Sequence, residues 1–248
     1  MVHTEARANV LSKALEGVRV VDLTWVRAGP WGARWLGALG AEVIKVEWPE
    51  NERGRGGGLA TPQGIDINLN TSGQFNDTNA NKLSITVNIR TEKGLALIKK
   101  LVGICDVVIE NYSSRVLDDW GLGFDQLRQI RPDIVYVSLA GLGHTGRHHF
   151  HTTMGPSAQA LSGMTHVSGL PGELPAGWGW SYLDDTGGMY GAMSVLTALY
   201  HRSQSGKGQY VDVSQMMMGA TLNGASMLDL SINGRGSRRE GYPPGNRA

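Results

Sequence analysis

The sequence predicts an α/β protein built on a doubly wound, mostly parallel, Rossmann-like sheet. Short runs rich in β-branched residues recur along the chain, stretches with helical periodicity alternate with them, and glycines cluster at the junctions. Strands and helices in that alternation favour right-handed parallel crossovers, and such sheets bind ligands outside the C-terminal ends of their strands.

Residues 18–24 read as the first strand, and Pro30, with its pre-set φ, opens a helix to about Leu39. Residues 41–47 form the second strand. A loop-rich stretch follows to Asn81, with a glycine run at 53–58 that lacks both dinucleotide and Walker A spacing. Residues 83–89 alternate as a half-buried strand. Thr91 caps a helix to about Val102, with Leu95, Ile98 and Leu101 on one face. Strands at 106–110 and 134–138 flank a short helix at 124–130. A helix from Gly187 to about Arg202, a strand at 209–213 and a Met-rich helix at 215–230 complete the pattern. Three turns, 24–29, 111–114 and 140–143, fall at the ligand-binding edge. Residues 1–14 form an N-terminal arm, 15–230 the large domain, and 231–248 a linker.

With 23 basic and 22 acidic residues in 248, no charge excess points to nucleic acid or a membrane surface. One cysteine, Cys105, lies in an apolar run, which excludes an internal disulfide framework and fits a reducing compartment. No stretch has the roughly 18 apolar residues of a membrane span, and the start lacks a signal-peptide core. The expected location is cytoplasmic. His148, His149 and His151 lack a carboxylate or cysteine at metal-ligand spacing, so they read as exposed loop residues, and no metal site is expected.

Asp184 and Asp185 stand between an aromatic lead-in, Trp178 to Tyr182, and the pair Gly187 and Gly188. A carboxylate in apolar surroundings is costly unless paired, so the acids are candidates for chemistry. Capping of the helix that follows is the other local reading.

Eight segments then occur in a fixed order: Leu15-Glu-Gly-Val-Arg-Val-Val-Asp-Leu-Thr24, Arg27-Ala-Gly-Pro30, Leu39-Gly-Ala-Glu-Val-Ile-Lys-Val-Glu47, Asn81-Lys-Leu-Ser-Ile85, Val108-Ile-Glu-Asn-Tyr112, Leu139-Ala-Gly-Leu-Gly-His-Thr-Gly146, Ala158-Gln-Ala-Leu-Ser-Gly163 and Gly206-Lys-Gly-Gln-Tyr-Val-Asp-Val213. Together they resemble the class III CoA-transferase (CaiB/BaiF) family, which includes formyl-CoA:oxalate transferases and acyl-CoA racemases. The resemblance implies that Asp184, four residues before Gly188, is a nucleophile and Asp185 a neighbour. It implies transfer of CoA from an acyl-CoA to a carboxylic acid through an aspartyl anhydride and an aspartyl-CoA thioester, with CoA as substrate and no resident cofactor. Arg27, Ala28, Arg90, Asn111 and Tyr112 match positions that meet CoA. Gln159, Trp180, Tyr182, Gly187 and Gly188 match the substrate pocket, the glycine N–H groups facing developing oxyanions; for the aromatics, plain core packing is the alternative.

Three basic family positions are occupied here by Trp48, Asp119 and Ala140, which shifts the expected phosphate grip to Arg34, Arg53, Arg55 or Arg115. A racemase of the same family needs a His–Asp pair, but Thr153-Met-Gly155 stands where its histidine belongs. A non-catalytic scaffold subunit is a third reading. Family members are longer and form interlocked dimers, so the expected assembly is a homodimer, or a complex with a chain supplying a small domain and the C-terminal return.

Overall fold

The computed structural model describes residues 13–48, 71–179, 181–237 and 239. Strands β1 (Arg19–Asp22), β2 (Glu42–Glu47), β3 (Lys82–Thr86), β4 (Val107–Glu110), β5 (Val135–Ala140) and β6 (Gln209–Ser214) form one sheet. The helices are α1 (Ala28–Ala38), α2 (Gly73–Thr78), α3 (Glu92–Val102), α4 (Val116–Asp119), α5 (Phe124–Leu127), α6 (Gly155–Leu161), α7 (Tyr182–Ser205), α8 (Gln215–Leu222) and α9 (Gly224–Asn233). No helix is long and apolar enough to cross a membrane among the described residues.

All pairings are parallel, in the order β3-β2-β1-β4-β5-β6. The chain winds outward from β1 to β3, returns, and winds the other way from β4 to β6. Loops leaving β1 and β4 therefore diverge and open a crevice at the C-terminal edge. The central strands are buried on both faces, which explains their near-continuous apolar runs. One face packs Val20, Val43, Val107 and Ile109 against Ala33 and Leu36 of α1 and Val195 and Ala198 of α7. The opposite face packs Val21, Val108 and Tyr136 against Ile98, Val102, Leu117 and Leu127. Cys105 is buried there, and burial pushes its thiol up to about 11.

Helices α1 and α7 meet backbone to backbone. A Cβ added at Gly32 would lie 2.6 Å from the Gly188 carbonyl oxygen, and one at Gly188 would lie 2.4 Å from that of Ala28. Both separations are below any real carbon–oxygen contact, so glycine is required at each position.

Under the β1 loop sits a buried ionic cluster. Lys82 Nζ donates to Asp22 Oδ2 (2.8 Å), the Pro30 carbonyl (2.9 Å) and Asn79 Oδ1 (2.9 Å), while Lys45 Nζ donates to the Thr24 carbonyl (2.6 Å). Burial pushes the Lys82 ammonium down to about 8, against the opposing pull of Asp22. Burial alone would raise the Asp22 carboxyl, but Lys45 and Lys82 together hold it below its ordinary value. Every proton of the Lys82 ammonium has an acceptor, as a buried cation requires.

Several boundaries differ from the sequence expectation. Pro30 is the third residue of α1, not its first, and α5 stops at Leu127. Strand β3 ends at Thr86 as a sheet edge, with Leu83 59% exposed. The Met-rich segment is two helices, broken at Asn223, whose Nδ2 donates to the Ser162 carbonyl (3.3 Å). The largest shift is at α7, which begins at Tyr182 rather than Gly187. The glycine run at 53–58 lies outside the described residues.

Candidate active site

At the C-terminal edge of the sheet lies a cavity of about 340 Å³. The turns after β1, β4 and β5 converge on it, contributing Trp25 to Ala28, Asn111 to Ser114, and Ala140 with Gly141. The β1 turn holds Val26, a β-branched residue at φ +64°, a conformation that persists only where surrounding contacts impose it. Asn111 supplies such a contact: its Oδ1 accepts from the Trp25 N–H (2.8 Å) and its Nδ2 donates to the Trp25 carbonyl (2.9 Å). Tyr112 stacks on Trp25, with ring centroids 5.9 Å apart.

Asp184 reaches the cavity from the first turn of α7. The N-cap is Ser181, so neither acid is the cap that local reading allowed. Gln215, the first residue of α8, donates from Nε2 to Asp184 Oδ1 (2.9 Å) and to the Leu183 carbonyl (3.2 Å). The Gly155 backbone packs against the same carboxylate and favours its ionised form. A Cβ at Gly155 would stand 2.5 Å from Asp184 Oδ2, so only glycine lets the backbone come this close. Burial raises the Asp184 carboxyl above its ordinary value and the charge of Asp185 adds to this, while Gln215, Arg27 and Gly155 oppose it. The start of α7, with its free N–H groups and positive dipole end, favours the anion.

Asp185 is held by Arg27, whose Nε and Nη2 reach its two carboxylate oxygens at 2.7 and 2.9 Å. Such bidentate pairing fixes both side chains. Arg27 therefore lines the cavity beside Ala28 but already has an anionic partner.

The remaining predicted residues lie elsewhere. Arg90 stacks its guanidinium over Trp48 (5.3 Å) and Trp120 (5.1 Å), away from the Asp184 cavity. Gln159 is buried in α6, donating to Thr165 Oγ1 (3.4 Å). Tyr182 lies against Trp178 with ring centroids 5.0 Å apart; Trp180 lies outside the described residues. Gly187 and Gly188 are buried inside the regular helix α7, where their N–H groups serve the i→i−4 ladder rather than an oxyanion. Gly187 faces Gln215, whose Cγ would lie 3.1 Å from an added Cβ. Of the substitute cations, Arg34 pairs with Asp77 (3.4 Å), Arg115 lines a separate cavity, and Arg53 and Arg55 lie outside the described residues.

Two features escaped sequence reading. Gln215 is far from Asp184 in the chain and carries no local motif; its one signal is a lone polar residue opening a Met-rich run. His149, expected to be an exposed loop residue, is half-buried and lines the Asp184 cavity together with His151, which is exposed as expected. No cluster of three or more His, Cys, Asp or Glu is arranged for a metal among the described residues.

Comparison with known proteins adds independent information. The sequence model of CoA-transferase family III matches residues 15–247. Succinyl-CoA:glutarate CoA-transferase of Mus musculus is 39% identical over 201 residues, covering 81% of this chain and 45% of the relative. Succinate–glutarate CoA-transferase of Agrobacterium fabrum is 33% identical over 222 residues, covering 89% and 56%. The crystal structure of a CaiB/BaiF family protein from Brucella suis superposes with a TM-score of 0.86 at 34% identity, covering 93% of this chain and 60% of that one. The chain spans about half the length of the curated relatives it matches.

Proposed function

The chain belongs to CoA-transferase family III, and from that membership we propose that it carries the nucleophile of an enzyme moving CoA from an acyl-CoA to a carboxylic acid. The relatives' names pair an acyl-CoA with an acid, and this reading takes that reaction class.

Asp184 attacks the thioester carbonyl through a carboxylate oxygen. The C–S bond breaks, CoA leaves as thiolate, and a mixed aspartyl anhydride remains. The thiolate then attacks the Asp184 Cγ, expelling the donor acid as carboxylate and leaving an aspartyl-CoA thioester. The incoming carboxylate attacks the same Cγ, releases thiolate and forms a second anhydride. Attack of thiolate on the new acyl carbon yields the product thioester and regenerates Asp184. A carboxylate suits this cycle because its acyl adducts are activated and each half-step is reversible.

One observation carries the reading: Asp184 stands in a cavity at the switch-point edge, its carboxylate held by Gln215 and packed on the Gly155 backbone. Burial raises its pKa, which strengthens it as a nucleophile, while Gln215 favours the ionised form. Gln215 Nε2 is also placed to stabilise charge that develops on the Asp184 acyl oxygen in the second and third steps.

The test is mass spectrometry of the protein incubated with an acyl-CoA panel, quenched with hydroxylamine. The expected product is a hydroxamate on the peptide containing Asp184. Asp184→Ala is expected to abolish CoA exchange while CoA still binds; normal exchange in that variant refutes the assignment.

A further inference from the structure

The segment between β5 and α6 forms a second wall of the Asp184 cavity, and its chemistry differs from the rest. His149, His151, Thr152 and Thr153 all line the cavity there. The His149 ring is oriented by a bond between Nδ1 and Ser114 Oγ (2.8 Å), which leaves the Nε2 edge free. The exposed His151 ring lies 4.2 Å from Phe150 and 5.9 Å from His148, centroid to centroid.

No acidic residue belongs to this wall. The acids near the cavity are Asp184, held by Gln215, and Asp185, neutralised by Arg27. The His149 and His151 imidazoles thus line a cavity whose nearby carboxylates already have partners. A ligand rich in acceptor oxygens complements that arrangement.

We propose that His149 and His151 form a subsite for an oxyanion of the substrate. This rests on the reading that the cavity handles CoA and an acid. Two groups share the chemistry: a second carboxylate at the far end of the acid, and a phosphate of CoA. A carboxylate there makes the wall a selector of dicarboxylic acids; a phosphate makes it part of the CoA grip.

The experiment measures identity exchange by the protein in its native assembly, using labelled succinate with succinyl-CoA, labelled butyrate with butyryl-CoA, and labelled butyrate with butyryl-pantetheine. His149→Ala and His151→Ala are compared with the unsubstituted protein. A hydrogen bond to a charged group is worth about 10- to 150-fold in kcat/KM. Collapse of the succinate-over-butyrate ratio in His149→Ala by that factor identifies a carboxylate subsite. Collapse of the CoA-over-pantetheine ratio identifies a phosphate subsite. If neither ratio moves in any variant, the proposal is overturned. If no acid exchanges at all, the transferase reading fails instead. The subsite is then decided by titrating the protein with succinate and with CoA while following the His149 imidazole protons: a shift sustains it, and no shift with either overturns it.

Discussion

Replacing Gln215 by the similarly shaped but apolar Met removes the side-chain donor nearest the nucleophile. Gln215 Nε2 lies 2.9 Å from Asp184 Oδ1, and a hydrogen bond to a charged group contributes about 1.5–3 kcal/mol. Its loss falls mainly on the ionised form, because a carboxylate accepts a stronger hydrogen bond than a protonated carboxyl does. The Asp184 carboxyl, already raised by burial, is expected to rise further. In the proposed reaction the reactive form is the carboxylate, so activity is lost as pH falls through this pKa. Gln215→Met therefore moves the acid limb of the kcat/KM profile to higher pH. Stability carries the matching sign. A carboxyl whose folded pKa lies above its unfolded value destabilises the fold at neutral pH, and that penalty is relieved as pH falls through the folded pKa. The variant should melt at a lower temperature than the parent at neutral pH, with the gap closing in acid. The assay pairs pH–rate profiles of CoA exchange with thermal melts across the same buffers. An acid limb that does not move in a folded variant refutes the role given to Gln215.

Gly155→Ala places a methyl 2.5 Å from Asp184 Oδ2; displacing the nucleophile should lower kcat by about 10²-fold with CoA binding retained, read by exchange kinetics and calorimetry. Gly188→Ala drives a methyl to 2.4 Å from the Ala28 carbonyl, and overpacking of this kind costs about 1–3 kcal/mol, visible as a lowered denaturation midpoint in urea. Glu110 is buried, and burial pushes its carboxyl from 4.5 up to about 7. Its folded pKa is the higher one, so it opposes folding above pH 7 and the opposition fades as pH falls from about 7 toward 4.5. Glu110→Gln should flatten stability over that window, as measured by chemical denaturation at each pH.

The strand–helix alternation, the cap at Thr91 and the three ligand-facing turns were legible because each follows from local chemistry. Thr91 does accept from the Gly94 N–H (3.1 Å), as its position before the periodic run implies. The start of α7 was not legible, because Gly187 and Gly188 read as helix breakers. Tertiary contact outweighs that propensity: the pair is where α7 touches α1 and Gln215, and the helix runs through it. The family motifs pointed to Asp184, but not to its partners. Gln215, Gly155 and Arg27 reach the acidic pair from separate elements, and no periodicity relates them. The place of His149 and His151 beside the cavity was missed for a related reason. A polar loop segment looks the same in sequence whether it faces solvent or folds over a cleft.

The glycine contact between α1 and α7 has a consequence for how this cleft can evolve. No side chain lies between Gly32 and Gly188, so substitution has nothing there to enlarge or shrink. The Arg27 turn leads into one of these helices, and Asp184 and Asp185 sit on the other. Their spacing is thus fixed by the thickness of two backbones, a dimension mutation cannot grade in small steps. The segment from Gly141 to Met154 has no such anchor in the helix pair. Change in the shape of the cleft is therefore channelled into one wall, while the half that bears Asp184 stays invariant.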